Sequence, residues 1–231
     1  MRGSIIKYLE MCRAEDASLQ RGMNFRLNGR HSVLLMSTRQ GAPYRDRVED
    51  EGATLIYEGH DVPRNALVKD PKAVDQLGVL PSGALTDNGK FFEAAQRYKR
   101  GEKQADVVRV YEKLRAGLWT DNGYFQLVDA WQEPDGTRKV FKFRLSAIES
   151  DDSNLEAIKE QVLPARTRLI PSAVKQEVWL RDQGKCCICG SADDLHFDHI
   201  IPYSKGGSSL ITSNIQLLCA RHNLEKRDKI E

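Results

Sequence analysis

Residues 186–226 read CCICGSADDLHFDHIIPYSKGGSSLITSNIQLLCARHNLEK. Two ligand pairs frame the stretch, Cys186-x-x-Cys189 and Cys219-x-x-His222, with 29 residues between them. Each pair has the bite of a metal-binding turn, and together they offer four soft or borderline donors to one tetrahedral Zn²⁺. The plainer reading is a set of buried, inert thiols, but two matched spacings in so short a segment favour the ion. Cys187 leaves one choice open, because it can replace Cys186 with an altered bite. The surrounding unit, residues 171–231, is small for a self-sufficient core, and a structural ion compensates for that.

Outward from this unit, the whole chain has 231 residues, enough for two domains of ordinary size. A hydrophobic content of 40% with 29% charged residues fits a folded, soluble protein and argues against wholesale disorder. No apolar run approaches the length of a membrane-spanning helix. The opening MRGSIIKYLEMC turns charged at Arg13, Glu15 and Asp16 before a secretory core can form. A cytoplasmic protein with no membrane partner is expected. The net charge of +2 neither requires nor excludes nucleic acid, which a local patch would decide. Of the five cysteines only Cys12 lies outside the C-terminal cluster, a distribution that suits metal binding better than a disulfide framework.

The rest of the chain divides by texture. Residues 1–30 read as a polar, helix-prone lead in which Ile5, Ile6, Leu9 and Met11 form one apolar stripe. Strand-like runs follow at 32–36, 53–57, 107–111, 124–131 and 139–145. In the last, Phe141, Phe143 and Leu145 alternate with Val140, Lys142 and Arg144. A helix is expected over 88–100, and residues 61–90 read as loop, punctuated by Pro63, Pro71 and Pro81. Many strands with few helices between them imply a mostly antiparallel, curved sheet over 31–146. Residues 147–170 read as a linker with a short helix at 155–163. In the C-terminal unit, Val174, Val178 and Trp179 form the packing face of a helix. Arg168, Lys175, Arg181 and Lys185 either touch a nucleic-acid backbone or are simply solvated.

The ordered blocks DHIIP, KGGS, NIQLLC and HNLEK resemble the HNH (ββα-metal) endonucleases over about the last sixty residues. The resemblance implies that His199 is the general base for phosphodiester hydrolysis, a role suited to an imidazole that titrates near neutrality. It further implies that Asp198 and Asn223 hold one Mg²⁺ or Mn²⁺ through oxygen. Asn214 would orient His199 or pin the loop, and Lys226 would meet a phosphate. The family commonly has Cys where His222 stands and often His where Asn223 stands; His222 is therefore assigned to zinc and Asn223 to the catalytic ion. His196 fits no catalytic position and reads as a strand-surface histidine.

Upstream, GRHSVLLMSTRQGAPYRDRVEDEGATLIYEGHD and the strands through VFKFRL resemble the SRA (SET- and RING-associated) fold, a PUA-like curved β-barrel that binds modified cytosine. The fold class implied for the chain is α+β, with this barrel joined to a zinc-stapled HNH unit. By resemblance, Tyr44 and Tyr57 stack on a flipped base, and Asp46 accepts from its exocyclic amine, with Glu58 as the substitute acceptor. The alternative is that Tyr57 packs in the barrel and Asp46 caps a turn. His60 and Asp61 either line the pocket rim or merely end the strand. Trp119, Phe125 and Trp131 read as core. The basic run 97–103 is a phosphate contact or a solvated helix face. Together the two resemblances imply a modification-dependent DNA endonuclease acting on double-stranded DNA that carries 5-methylcytosine or 5-hydroxymethylcytosine. A homodimer is expected, because one HNH site cuts one strand. A nuclease with a sequence- or structure-specific binding domain, or a non-catalytic reader, are the alternatives.

Overall fold

A computed structural model describes residues 3–148 and 169–226. The helix expected at 155–163 and Arg168 lie outside the described residues. The fold is α+β. Its elements run β1 (Ile5–Lys7), α1 (Tyr8–Glu15), β2 (Met23–Asn24), β3 (Ser32–Met36), β4 (Arg47–Glu49), β5 (Thr54–Glu58), α2 (Asp87–Lys99), β6 (Asp106–Arg115), β7 (Leu118–Pro134) and β8 (Lys139–Ala147). The C-terminal unit adds α3 (Ser172–Arg181), β9 (Leu195–His199), β10 (Ile215–Cys219) and α4 (Ala220–Lys226).

The larger sheet has the order β2-β3-β6-β7-β8-β5-β4, with β1 paired to β7. Only the β3–β6 pair is parallel. The long β7 pairs with β6 over its first half and β8 over its second, with a register shift between Leu127 and Asp129. That shift bends the sheet. Its concave core holds Leu34, Met36, Leu55, Tyr57, Val108, Phe125 and Phe143, closed on one side by Phe91 of α2. Phe125 is core as expected. Trp119 and Trp131 are only half-buried, and the indole of Trp131 donates to Glu133 Oε2 at 2.7 Å. The cations of the 97–103 run are taken up in surface ion pairs: Lys99 with Asp129, Arg100 with Glu102 and Lys103 with Asp106.

The expected helical lead is only partly a helix. Residues 5–7 are a strand, and the apolar stripe breaks up, with Met11 fully buried and Leu9 67% exposed. Helix α1 is fastened by Glu15, whose carboxylate accepts from Tyr111 Oη at 2.7 Å and Arg109 Nη1 at 2.9 Å and meets His31 Nε2 at 2.8 Å. Burial alone would raise its pKa; the bonds from His31 and Tyr111 and the Arg109 charge outweigh burial and hold it below the usual carboxylate range.

The C-terminal unit packs on the barrel through an apolar contact, where Leu114 of β6 and Ile5 of β1 join its core, and through two polar contacts. First, Phe197 N of β9 donates to Gly3 O at 3.0 Å, while Gly3 N donates to Asp121 O of β7 at 2.7 Å. The chain start thus forms a strap between the two sheets. Gly3 has φ +82°, and a Cβ there would lie 2.9 Å from Phe197 O, so the strap needs glycine. Second, Lys175 of α3 is 2% exposed, with Nζ 2.6 Å from Glu112 Oε2 and 2.7 Å from Asn122 Oδ1. Ser172 Oγ also donates to Glu112. Lys175 is therefore an inter-unit anchor and not the exposed cation that a nucleic-acid contact requires. Arg181 is likewise engaged, with Nη1 donating to Thr212 O at 2.9 Å and Nη2 to Ile215 O at 2.6 Å.

Removing one partner of this buried pair leaves an uncompensated charge. Lys175→Met is expected to cost about 3–5 kcal/mol in chemical denaturation, with Glu112→Gln added to it restoring part of the loss. Equal stability of Lys175→Met and wild type would remove the pair from any structural role.

Candidate functional site

The C-terminal hairpin pairs β9 and β10 in antiparallel register, setting His199 opposite Ile215 and Leu195 opposite Cys219. Alternation along β9 turns Leu195 and Phe197 into a core shared with Val178, Leu217 and Leu218. The hairpin's far end and the start of α4 deliver Cys219 and His222 beside Cys186 and Cys189. The four ligand atoms lie within 4.8 Å of one another. His222 Nδ1 is 3.3 Å from Cys186 Sγ and 3.4 Å from Cys219 Sγ, and Cys189 and Cys219 sulfurs are 3.9 Å apart. A tetrahedral ion with thiolate and imidazole ligands spaces its donors by about 3.4–3.8 Å, so the set fits a metal. Burial pushes the Cys186 thiol up, but backbone N–H groups of Cys219, Cys189 and Ile188 and the His222 ring bring it down to about 6. Cys187 stands outside the cluster: its Sγ donates to Leu217 O at 3.1 Å. The choice between Cys186 and Cys187 is thereby made in favour of Cys186.

At the other end of β9, Asp198 and His199 face opposite sides of the strand. His199 is 6% exposed, and its Nε2 lies 2.9 Å from Ser209 Oγ. The general-base role implied for His199 calls for a ring that substrate can reach; here Ser209 of the loop 200–209 caps it. Asn214 pins that loop, donating to Ile201 O at 3.1 Å and Ser208 O at 3.0 Å and accepting from Ile201 N at 2.8 Å. Of its two expected roles, loop pinning is the one these bonds describe. Gly207 is required beneath the same loop, since a Cβ would come within 1.8 Å of Ile201 O.

Lys226 does not reach outward to a phosphate as expected. It is 1% exposed, with Nζ 3.0 Å from Asp198 Oδ2 and 2.7 Å from the His199 carbonyl oxygen. The lysine therefore positions the Asp-His pair from beneath. Gln216 Nε2 reaches the same Asp198 oxygen at 3.3 Å. Asn223 is half-buried on α4, next to His222. His196 is buried and not a surface residue: its backbone pairs with Ser4 of the strap, and its Nδ1 has no hydrogen-bond partner.

The barrel carries a cavity of about 560 Å³ lined by Tyr44, Asp46, His60 and Trp119 among others. Tyr44 stacks on His60, with ring centroids 5.4 Å apart and planes 14° from parallel. The Lys72 ammonium lies 4.1 Å from the Tyr44 centroid on this aromatic pair. Asp46 points into the same space from a buried seat, accepting from Ser37 N at 3.0 Å and Glu58 N at 2.9 Å. Burial lifts its pKa to about 7 against those two bonds. Burial likewise lowers the His60 pKa, keeping the ring neutral.

Two expected pocket residues are elsewhere. The Tyr57 ring belongs to the barrel core, and its hydroxyl lies 3.1 Å from His60 Nε2 and 3.3 Å from the carbonyl oxygens of Gly22 and Leu35. Glu58 faces the opposite side of β5, where Lys142 Nζ meets it at 2.8 Å across the strand pair. Adjacent strand residues cannot both face one cavity, and the second aromatic wall is His60. Asp61 joins Arg138 at 2.5 Å and Lys72 at 2.9 Å behind that wall. His60, Ser209 and the lead residues Tyr8, Gln20 and Arg21 of the lining were not singled out as pocket or catalytic groups from sequence, apart from His60 as a possible rim residue. A serine in a Gly-Gly-Ser-Ser loop beside a DH pair is a faint signal, and the lead carries none.

Residues 186–231 match the family model described as HNH endonuclease. No curated protein matches the chain. Among solved structures, the chain is similar to the SUVH5 SRA domain in complex with hemimethylated CG DNA, at 20% identity and TM-score 0.43, covering 70% of this chain and 89% of that one. It is similar also to SUVH5 SRA bound to fully hydroxymethylated CG DNA, at 20% identity and TM-score 0.42, covering 70% and 85%. A third is Arabidopsis thaliana SUVH6 in complex with SAM, at 18% identity and TM-score 0.41, covering 76% of this chain and 28% of that one. No helix among the described residues is long and apolar enough to cross a membrane.

The cluster assignment predicts a pattern of metal content. Elemental analysis is expected to find about one ion per chain in wild type and Cys187→Ser, and much less in Cys219→Ser. Retention of the ion in Cys219→Ser would count against this ligand set.

Proposed function

We propose that the chain is a DNA endonuclease that cuts near modified cytosine. The observation that carries the reading is the joining of two features. An HNH-type Asp-His pair on a metal-clamped hairpin is docked on a barrel whose cavity presents an aromatic pair and a carboxylate. In this reading the ion at Cys186, Cys189, Cys219 and His222 is Zn²⁺ and is structural. A single Mg²⁺ or Mn²⁺ would be held by the side-chain oxygens of Asp198 and Asn223 and would supply charge stabilisation at the phosphate. Lys226 and Gln216 hold Asp198 in place for it. His199 takes the proton from the attacking water, and Ser209 fixes its ring. The burial of His199 requires the 200–209 loop to shift when DNA and cation bind.

The reader is built on residues 31–146 together with the lead. A flipped 5-methylcytosine or 5-hydroxymethylcytosine enters between Tyr44 and His60, whose stacked rings part to admit it, and Asp46 accepts from its amine, at a cost of a few kcal/mol in lost stacking and pairing. Two chains assemble on double-stranded DNA to cut both strands. A reader that binds without cutting is the second reading, and the covered His199 is what favours it.

Digestion of matched methylated and unmethylated plasmids with Mg²⁺ or Mn²⁺ tests the proposal directly. Preferential cutting of the methylated plasmid is expected, with His199→Ala at least a hundredfold slower and modified-DNA binding preserved. Equal cutting of both plasmids would sink modification dependence, and binding without cutting in every cation would favour the second reading. The mass of the protein–DNA complex reports whether two chains assemble.

Asp46 gives the recognition step a pH signature. A carboxylate lifted to about 7 keeps both oxygens as acceptors only when ionised, since the neutral acid turns one of them into a donor. The ratio of affinity for 5-methylcytosine over thymine at the same position is expected to fall roughly tenfold between pH 8 and pH 6, a change absent from Asp46→Asn. A flat ratio in wild type would take Asp46 out of the base contact.

A further inference from the structure

The cavity is larger than the base that the proposed function puts in it. Its volume of about 560 Å³ matches roughly 15–20 water-sized groups at about 30 Å³ each, whereas methylcytosine has fewer than ten heavy atoms. The surplus is lined by a different chemistry from the stacking pair. Tyr8 of α1 and Trp119 of β7 supply aromatic surface, and Gln20, Arg21 and Lys113 supply hydrogen-bond donors. The Lys113 ammonium lies 5.7 Å from the Trp119 ring centroid, so one cation and one aromatic face share a corner of the cavity. Trp119 is half-buried, and Gln20 and Arg21 are exposed.

A methyl group uses none of these donors. A sugar uses both kinds of surface at once: the C–H face of a pyranose lies on an aromatic ring, and its hydroxyls pair with amide, guanidinium and ammonium groups. Asp46 is the one carboxylate in the lining, so a neutral polyhydroxyl substituent meets little competition from acidic groups. Resting on the modified-cytosine reading, we infer that the pocket accepts cytosine carrying a glycosylated hydroxymethyl group at C5, with Trp119, Gln20 and Lys113 contacting the sugar. The lead segment then selects among modifications, while the stacking pair and Asp46 select cytosine.

The test uses the full chain and four matched duplexes whose central cytosine is unmodified, 5-methyl, 5-hydroxymethyl or glucosylated 5-hydroxymethyl. Affinities are measured by fluorescence anisotropy without added Mg²⁺ or Mn²⁺. The glucosylated duplex is expected to bind at least as tightly as the methylated one. Trp119→Ala, Gln20→Ala and Lys113→Met are each expected to lower the glucosylated-to-methylated affinity ratio about tenfold. Gln20→Ala and Lys113→Met keep the test intact if Trp119→Ala fails to fold. Tight binding of methylated DNA with more than tenfold weaker binding of glucosylated DNA overturns the inference while leaving the reader in place; the surplus volume then belongs to the extruded nucleotide's own backbone. An unchanged ratio in all three variants overturns it as well. No preference among the four duplexes removes the modified-cytosine reading itself.

Discussion

The whole arrangement rests on a lysine taken out of water. Lys175 belongs to the helix that backs the hairpin, yet its ammonium lies in the barrel, between Glu112 and Asn122. A buried ion pair contributes little net stability compared with an apolar contact of the same volume, but it tolerates no other partner geometry. That intolerance fixes one unit against the other. The apolar contact of Leu114 and Ile5 with the same unit could slide by a side chain; a buried carboxylate and ammonium cannot separate without leaving bare charge. The Gly3–Phe197 contact adds a second point of attachment, so rotation about the first is blocked.

The same device recurs inside the hairpin. Lys226 sits beneath the Asp198-His199 turn and bonds to both residues, through a carboxylate oxygen in one case and a backbone carbonyl in the other. Asn214 does comparable work on the loop, presenting a side-chain amide where a neighbouring strand would present backbone. The hairpin has the Cys/His cluster at one end, an apolar core along its length and polar side chains at the other end. These three devices hold Asp198 and His199 in fixed positions.

Periodicity and spacing made much of this legible. Short apolar runs located β3 to the residue and β5 to within one, because both faces of these strands are buried, and strand-like runs placed β6, β7 and β8 to within several. The Cys/His cluster was legible because the spacing within each pair is a local property of the chain. What escaped is non-local and polar. Lys175 and Lys226 look like any exposed helical lysine, since nothing near them in sequence announces a carboxylate brought up by another element. Tyr57 and Glu58 were both assigned to one cavity although they alternate across β5, and each found a partner on its own face. The lead was legible as helix over only eight residues; its strand and its share of the cavity wall come from pairing with β7 and packing against β3.

The strap at the chain start also bears on how the molecule is made. Gly3 contributes to the seam between two sheets whose strands, β7 and β9, emerge from the ribosome far later than it does. Closing that seam joins Gly3 to Phe197, two residues far apart along the chain, an entropically demanding contact. Synthesis therefore leaves β1 unpaired until β7 arrives and Gly3 unsatisfied until the hairpin folds. Nascent chains stalled before the hairpin would carry an open sheet edge, the kind of surface chaperones attend to.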